Sequence, residues 1–379
     1  MAAQDGHDLV QLTVAKTTAN TALRWIPPFL PTLAAAFATS TTTLTTILGV
    51  AELAGLTTLF AGRRLDQGSE RVVMTVGLVT VSAACALATA GVVPVFAIAA
   101  LLLVAGNANF TVAGHAWISH RVPYYRRARS IGLFETSWAL SLLVGAPIIA
   151  VLIDRWGWRA PFVALAAATL LAALAIRPRH RVPRPAAGLL VVSGPTARLD
   201  RQAAQVIAGV ALLAAAGLSV FVVSGTWLRD SFDVSTAGLG TVAMAFGAVE
   251  LVASGGSAAL ADRTGKRASV LAGIFVLLFG LAAMASAGSS VVVGVLGLVL
   301  LLLGFEFAFV TSLSLLSEAM PDARGSTLAI GTAASTAARA AGMVLSGVLY
   351  GAWGIGGTIA LSGVCAVSAG GLFVGVKRS

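Results

Sequence analysis

Lys16, Asn20 and Arg24 recur at i, i+4 and i+8 inside an apolar run, so a helix there presents them on one face. Asn107, Thr111 and His115 repeat that spacing in a second apolar run, and Glu306 interrupts a third. Glu52, Glu135, Glu250 and Arg339 interrupt four more. Charged groups in such surroundings are costly, so each is a functional candidate. Carboxylates between water and a low-dielectric wall can exchange protons, which singles out Glu52, Glu135, Glu250 and Glu306. The cations, amides and imidazole can hold a polar group of a small molecule; Arg24 with Lys16 on one face suits an anionic one. Each charge also has a plainer reading. Glu52 and Glu250 can be static partners of Arg24 and Arg339, because a paired buried ion costs far less than a lone one. Glu135 can pair with a loop arginine, and His115 can be an ordinary hydrogen-bonded helix residue.

The elements that carry these residues follow from composition. Of the 379 residues, 58% are hydrophobic and 11% charged, and the mean hydropathy is +0.92. Soluble domains carry about a quarter charged residues, so this chain cannot cover itself in water. Apolar runs of about 20 residues are membrane spans. Hydropathy and breakers place twelve, roughly at 9–36, 43–61, 72–91, 94–119, 129–153, 158–176, 202–228, 235–260, 268–287, 290–318, 325–349 and 354–376. On this placement Arg24 lies about 15 residues, roughly 22 Å, from the inner end of the first span.

Charge fixes the orientation. Of the 25 Lys and Arg residues, Arg155, Arg159 and Arg229 fall in outer loops and Lys16, Arg24 and Arg339 within spans. The rest lie on inner loops and the C-terminus, which puts both termini in the cytoplasm. The net charge of +10 is then topology and anionic-lipid contact, with no nucleic acid partner. Cys85 and Cys365 both sit within apolar runs, so no disulfide framework is implied, and no cleavable signal peptide is expected.

The chain repeats itself. Val-Ala-Glu52-Leu is echoed by Ala-Val-Glu250-Leu, 198 positions on. Gly106, Pro123 and Arg126 have counterparts at Gly304, Pro321 and Arg324 in the same register, and Trp156-Gly157 returns at Trp353-Gly354. The Arg- and Pro-rich stretch 177–201 separates six spans from six, giving a first half at 1–176, a cytoplasmic linker and a second half at 202–379. Parallel six-helix repeats describe the two halves of one transporter class.

Two short hairpin loops carry the most specific pattern. Leu260-Ala261-Asp262-Arg263-Thr264-Gly265-Lys266-Arg267 joins spans 8 and 9, and Gly62, Asp66 and Arg71 mark a looser version between spans 2 and 3. Here the sequence resembles the major facilitator superfamily over essentially its whole length. The second loop is similar to that family's Gly-x-Leu-Ala-Asp-Arg-x-Gly-Arg/Lys-Arg/Lys, with Ala258 in place of the leading glycine. The acids can cap a helix N-terminus and the cations can meet carboxylates or carbonyls, so the loops work as a latch or as a positive-inside anchor. Gly145-Ala146-Pro147 resembles the antiporter motif of drug-exporting members with an alanine inserted, and Trp156 to Phe162 resembles a Gly-Trp-Arg-x-x-Phe anchor. Many such members carry an arginine in span 4 before Gly106; Leu101 to Ala105 holds no charge.

The resemblance implies an all-α membrane protein of twelve transmembrane helices in two pseudo-symmetric six-helix halves, most like the twelve-span drug:proton antiporters. It implies export of a small organic molecule by alternating access, in exchange for protons, with spans 1, 4, 7 and 10 lining a central cavity. Asn20, Arg24, Asn107, Thr111, His115 and Glu306 would touch substrate. Gly62, Asp66, Arg71, Asp262, Arg263, Gly265, Arg267, Gly145 and Pro147 would serve gating. Sugar, nucleoside or amino-acid efflux, or lipid translocation, by the same fold is the alternative. The expected partners are a small-molecule substrate, protons and membrane lipids, for a monomer of the plasma (inner) membrane with no cofactor. An enzyme is disfavoured: there is no GxxxxGK[ST] loop, no HExxH and no Cys/His metal spacing.

Overall fold

The computed structural model describes residues 2–176, 200–320 and 324–376; within these, the side chains of residues 2–5, 62–63, 66, 124, 128, 258–262 and 324–326 are not described. Most of the linker at 177–201 therefore lies outside the described residues. The described chain is helical: α1 (Ala2–Arg24), α2 (Leu30–Ala36), α3 (Thr41–Glu52), α4 (Thr58–Asp66), α5 (Glu70–Ala88), α6 (Val93–Arg121), α7 (Tyr124–Leu143), α8 (Gly145–Trp156), α9 (Arg159–Ile176), α10 (Arg201–Phe232), α11 (Thr236–Thr264), α12 (Lys266–Ala285), α13 (Val291–Glu318) and α14 (Arg324–Val374). A 3₁₀ turn, Leu53–Thr57, joins α3 to α4.

Local sequence sets where these helices start and stop. Ser40, Asp200 and Ser290 accept backbone N–H bonds from Thr43, Ala203 and Val293 at the starts of α3, α10 and α13, which satisfies donors a helix leaves unpaired. Asp233 ends α10 in the left-handed conformation, its N–H bonded to Arg229 O and that of Val234 to Leu228 O, a left-handed helix stop that satisfies carbonyls of the last turn. One break is less visible in the sequence. The run read as span 1 stops at Arg24 and resumes at Leu30, because Pro27 and Pro28 remove two backbone donors. The last two expected spans, 325–349 and 354–376, are two helices that meet within α14 at a non-helical kink, Trp353 (φ −134°) and Gly354 (φ 59°).

Ten described segments are long and apolar enough to cross a membrane, so the protein is a multi-pass integral membrane protein. Of the twelve spans expected, Thr327–Val374 counts once although it holds two helices across its kink, and α1, lowered in hydropathy by its polar residues, is not among the ten.

The contacts divide the chain into two compact units: Met1–Ile26 with Ala54–Val191, and Pro27–Leu53 with Val192–Ser379. The hairpin of α2 and α3 thus belongs to the second unit. In unit 1 the core gathers Leu12, Met74, Leu78, Phe110, Trp117, Phe134 and Ile176 from five helices. In unit 2, α10 is the buried axis, flanked by α13 and α14. The repeat is visible as a contact. Gly77 of α5 lies against Gly106 of α6 so closely that a Cβ would stand 2.7 Å from the Gly106 carbonyl. Gly273 of α12 and Gly304 of α13 repeat it at 2.8 Å. Small residues let backbones approach where lipid gives no hydrophobic drive.

Candidate functional site

In unit 1 the polar face of α1 is laid along α7. Lys16 Nζ donates to Glu135 Oε1 at 2.6 Å, and Asn20 Nδ2 to Ser137 Oγ at 3.2 Å. Arg24 Nη1 donates to the Trp138 carbonyl at 2.6 Å and to Ser141 Oγ at 3.3 Å. Aromatic faces complete both cation sites: Lys16 stands 4.2 Å from the Phe134 ring centre and Arg24 4.0 Å from that of Trp138. From α6, His115 Nε2 also donates to Glu135 Oε1, at 2.6 Å, with its ring edge-on to Phe134. Glu135 is therefore the meeting point of three helices. Its side chain keeps 45% exposure and that of His115 40%, while Lys16 keeps 2%. Lys16 and His115 share one carboxylate oxygen, Oε1, the first sealed in and the second open to solvent.

The α7–α8 break gives α1 its place. Pro147 has no N–H for the helix ladder, and the chain bends at Val144 between Leu143 and Gly145. At Gly145 a Cβ would meet Thr21 Cγ2 at 2.6 Å, so glycine is what allows α1 to approach. Thr21 Oγ1, bonded to Thr17 O at 2.8 Å, also lies 3.3 Å from the Ser141 carbonyl. Gly145 and Pro147, expected to serve gating, thus shape the contact that carries Lys16 and Arg24. Asn20 and Asn107 are both buried, and neither Oδ1 has a hydrogen-bond partner among the described residues. Thr111 is half-buried on α6, one turn from Asn107 on one side and from His115 on the other.

In unit 2, Glu52 and Arg339 form an ion pair at 2.9 Å between α3 and α14. Glu52 does have an arginine partner, as the plainer reading held, though that partner is Arg339. Glu306 Oε1 accepts from Ser254 Oγ at 3.0 Å, joining α13 to α11, and Glu250 is buried one turn before Ser254 on α11. The four carboxylates named for proton exchange therefore divide as Glu135 in unit 1 and Glu52, Glu250 and Glu306 in unit 2.

The hairpin loops use their cations as charge and spacing suggest. Arg71 pairs with Asp8 of α1 and lies 3.5 Å from the Ile176 carbonyl that ends α9. Arg267 donates to the Val374 carbonyl of α14 at 2.6 Å, and Lys266 pairs with Glu318 of α13. Ile176 and Val374 are 198 residues apart, so the repeat extends to these carbonyls. Arg263 is exposed, and Gly265 has the positive φ of 85° that the turn requires. The side chains of Asp66 and Asp262, and the surroundings of Gly62, lie outside the described residues.

Ser137, Trp138 and Ser141 join the site without being expected from sequence, and Glu135 meets Lys16 and His115 instead of the loop arginine expected for it. A usable signal is present. Lys16 is as costly in a membrane as any carboxylate there, and spans 1 and 5 hold one unmatched charge of each sign, Lys16 and Glu135, once Arg24 is set aside.

Residues 12–199 match the family model described as Major Facilitator Superfamily. No curated protein matches the chain at the level of sequence. Among solved structures, a bacterial homologue of the human lysosomal transporter Spinster, inward-facing and occupied, has a TM-score of 0.78 at 14% identity, over 98% of this chain and 94% of that one. The unoccupied form of that homologue gives 0.76 at 13% identity, with the same coverage. A D-xylose-proton symporter gives 0.77 at 16% identity over 97% of each chain. The fold is that of Major Facilitator Superfamily transporters, and the matches are to transporters rather than to enzymes.

Proposed function

We propose that this chain is a secondary active transporter of the Major Facilitator Superfamily that exports a small organic molecule in exchange for protons. The observation that supports this best is Glu135, a half-exposed carboxylate within a membrane-crossing segment, bonded at once by Lys16 and His115. Deprotonated, a carboxylate so placed is compensated by Lys16, and its 45% exposure and the half-exposed His115 beside it give a proton a way in. Asn20 and Asn107, whose buried amide oxygens have no described partner, supply acceptors for a polar substrate. Glu306 and Glu52 are the second-unit candidates for coupling, and Glu52 would first have to leave Arg339. The protein would work as a monomer in the plasma membrane with both termini cytoplasmic. Efflux of a sugar, nucleoside or amino acid, or lipid translocation, is the alternative cargo.

The test has two stages. A thermal-shift screen of the purified protein against small-molecule classes, at two pH values, finds a ligand. Proteoliposomes then measure its flux under a pH gradient, with and without a protonophore. Glu135→Gln is expected to retain ligand binding and to lose the response to the gradient. Gradient-driven flux equal to wild type in Glu135→Gln would remove Glu135 as the coupling group, and flux indifferent to the protonophore would remove proton exchange.

A further inference from the structure

The repeat leaves a gap in the second unit that side chains fill in the first. The register that carries Trp156-Gly157 onto Trp353-Gly354 puts Trp158, Arg159 and Phe162 at Ile355, Gly356 and Ile359, and Gly91 at Gly288. In unit 1 these positions are packed. Phe162 is fully buried, edge-on to Trp25 at 4.9 Å and to Trp158 at 6.3 Å. Arg159 Nε donates at 3.0 Å to the carbonyl of Thr89, the residue after α5. A Cβ at Gly91 would stand 3.0 Å from the Trp158 ring. In unit 2 the same turn is open: a Cβ at Gly288 or at Gly356 would meet nothing within 4 Å. The smaller residues leave a cavity of about 440 Å³ beside the turn that follows α12.

The walls of this cavity are apolar, and one buried donor faces it. Met284 comes from α12, Ile355 and Ile359 from the second helix of α14, and Trp227 from α10. Trp227 is 3% exposed and stands edge-on to Phe232 at 5.3 Å. Its indole N–H makes no hydrogen bond among the described residues. Unlike Nε1 of Trp117, it is not sealed in protein, so it opens onto the cavity that its ring lines. Ser231, one turn on, adds an exposed hydroxyl to the lining. A mostly apolar pocket of this size with a few polar groups is the usual form of a ligand site, and an unmet donor in such walls is costly.

The surroundings name the ligand. The cavity lies where the membrane-crossing segments Arg201–Phe232 and Lys266–Ala285 end, the depth at which a tryptophan sits between hydrocarbon and headgroups. Its rim holds Ala285, Gly356 and Ala360, all exposed. Further into the same helices Val364 is 67% exposed and Phe279 60%, so the rim runs on into the lipid-facing surface. We propose that the cavity holds one ester-linked acyl chain of a bilayer phospholipid, with the ester carbonyl accepting from Trp227 Nε1 and the methylenes taking the place that Trp158 and Phe162 fill in unit 1. The chain joins α10, α12 and the second helix of α14, as Phe162 and Arg159 join helices in the first unit. The lipid is a resident of unit 2, apart from Glu52, Glu250 and Glu306, none of which lines the cavity.

Native mass spectrometry of the full-length protein in detergent, titrated with dioleoyl phosphatidylcholine or with its diether analogue, reads the site. The wild type is expected to hold its first ester lipid about fivefold more tightly than the ether form, the worth of one neutral hydrogen bond. Trp227→Phe keeps the packing and loses the N–H, so it should bind both forms alike, at the level of the ether form on wild type. Ile355→Trp combined with Gly356→Arg and Ile359→Phe installs the side chains of the first unit and should remove that lipid altogether. Should the triple variant not fold, Gly356→Leu must lower retention of the ester form in its place. The same ester preference in Trp227→Phe as in wild type would overturn the proposal, and so would undiminished retention in the filled variant. A bound mass that is not a phospholipid, lost when the cavity is filled, would overturn it in favour of another guest.

Discussion

Glu135 holds two donors of different permanence, and that difference decides what each substitution does. Lys16 is sealed in, with 2% of its side chain exposed, so Glu135 is what compensates its charge. Removing one partner of a buried pair costs about 3–5 kcal/mol. Glu135 retains 45% exposure, so water makes up part of the loss and about 2 kcal/mol is expected for Glu135→Gln. Lys16→Met removes the buried charge itself and should cost less, and the double variant should fall well short of the sum. A double-mutant cycle on chemical or thermal unfolding measures the coupling, expected at about 1–2 kcal/mol. Additive effects would mean that the 2.6 Å contact contributes nothing. Arg24 differs in kind. It bonds the Trp138 carbonyl and Ser141 and covers the Trp138 ring, so its charge holds α1 to α7. The i, i+4, i+8 spacing makes that polar face legible in the sequence, but spacing says nothing of which neighbour a face meets. Only the fold turns Lys16 toward Glu135 and Arg24 toward a carbonyl.

Among the helices, α3 and α14 show how closely the second unit is packed. Thr42 Oγ1 donates to the Gly347 carbonyl at 2.9 Å, and a Cβ at Gly347 would run into the side chain of Thr45. Gly347→Ala should therefore push α3 away and cost about 1–3 kcal/mol, the usual range for overpacking. Gly371, beyond the Trp353–Gly354 kink of α14, has nothing within 4 Å of the place a Cβ would take. Gly371→Ala should instead stabilise by about 0.5–1 kcal/mol, the helix-propensity gain of alanine. Unfolding temperatures of the two variants should move in opposite directions; a fall in both would mean that helix packing here is not governed by this contact. The hairpin loops and long apolar runs can be placed from sequence because charge and glycine punctuate them. The break at Trp353–Gly354 falls between the expected spans 325–349 and 354–376, whereas the break after Arg24 is harder to place, because Trp25, Ile26, Pro27, Pro28 and Phe29 are as apolar as the span they interrupt. Hydropathy runs straight through it, and the proline pair is the one local sign.

Across the whole molecule, the repeat conserves packing and lets charge drift. The glycine contacts Gly77–Gly106 and Gly273–Gly304 and the arginines on the Ile176 and Val374 carbonyls recur in both units. Some charges do not: Glu70 and His120 correspond to Lys266 and Glu318, and Arg339 stands where the first half has Ser141. Duplicated backbone geometry is fixed by close approach, whereas a polar pair needs only complementary signs. We propose that orientation in the membrane follows the surviving bias. The arginines expected in outer loops are engaged at helix ends: Arg159 lies over Trp158 and donates to the Thr89 carbonyl, and Arg229 donates to Thr236. On the opposite loops Arg64, Arg126, Arg129 and Arg263 are exposed, where an anionic leaflet attracts each basic residue near its surface by about 1 kcal/mol. A fluorescent protein fused after Ser379 should therefore be fluorescent and an alkaline phosphatase fused there inactive, because only the first matures in the cytoplasm. Converting Arg64, Arg126, Arg129 and Arg263 to Gln should weaken that preference and yield a mixed reading. An active phosphatase on the unaltered chain would invert the proposed topology.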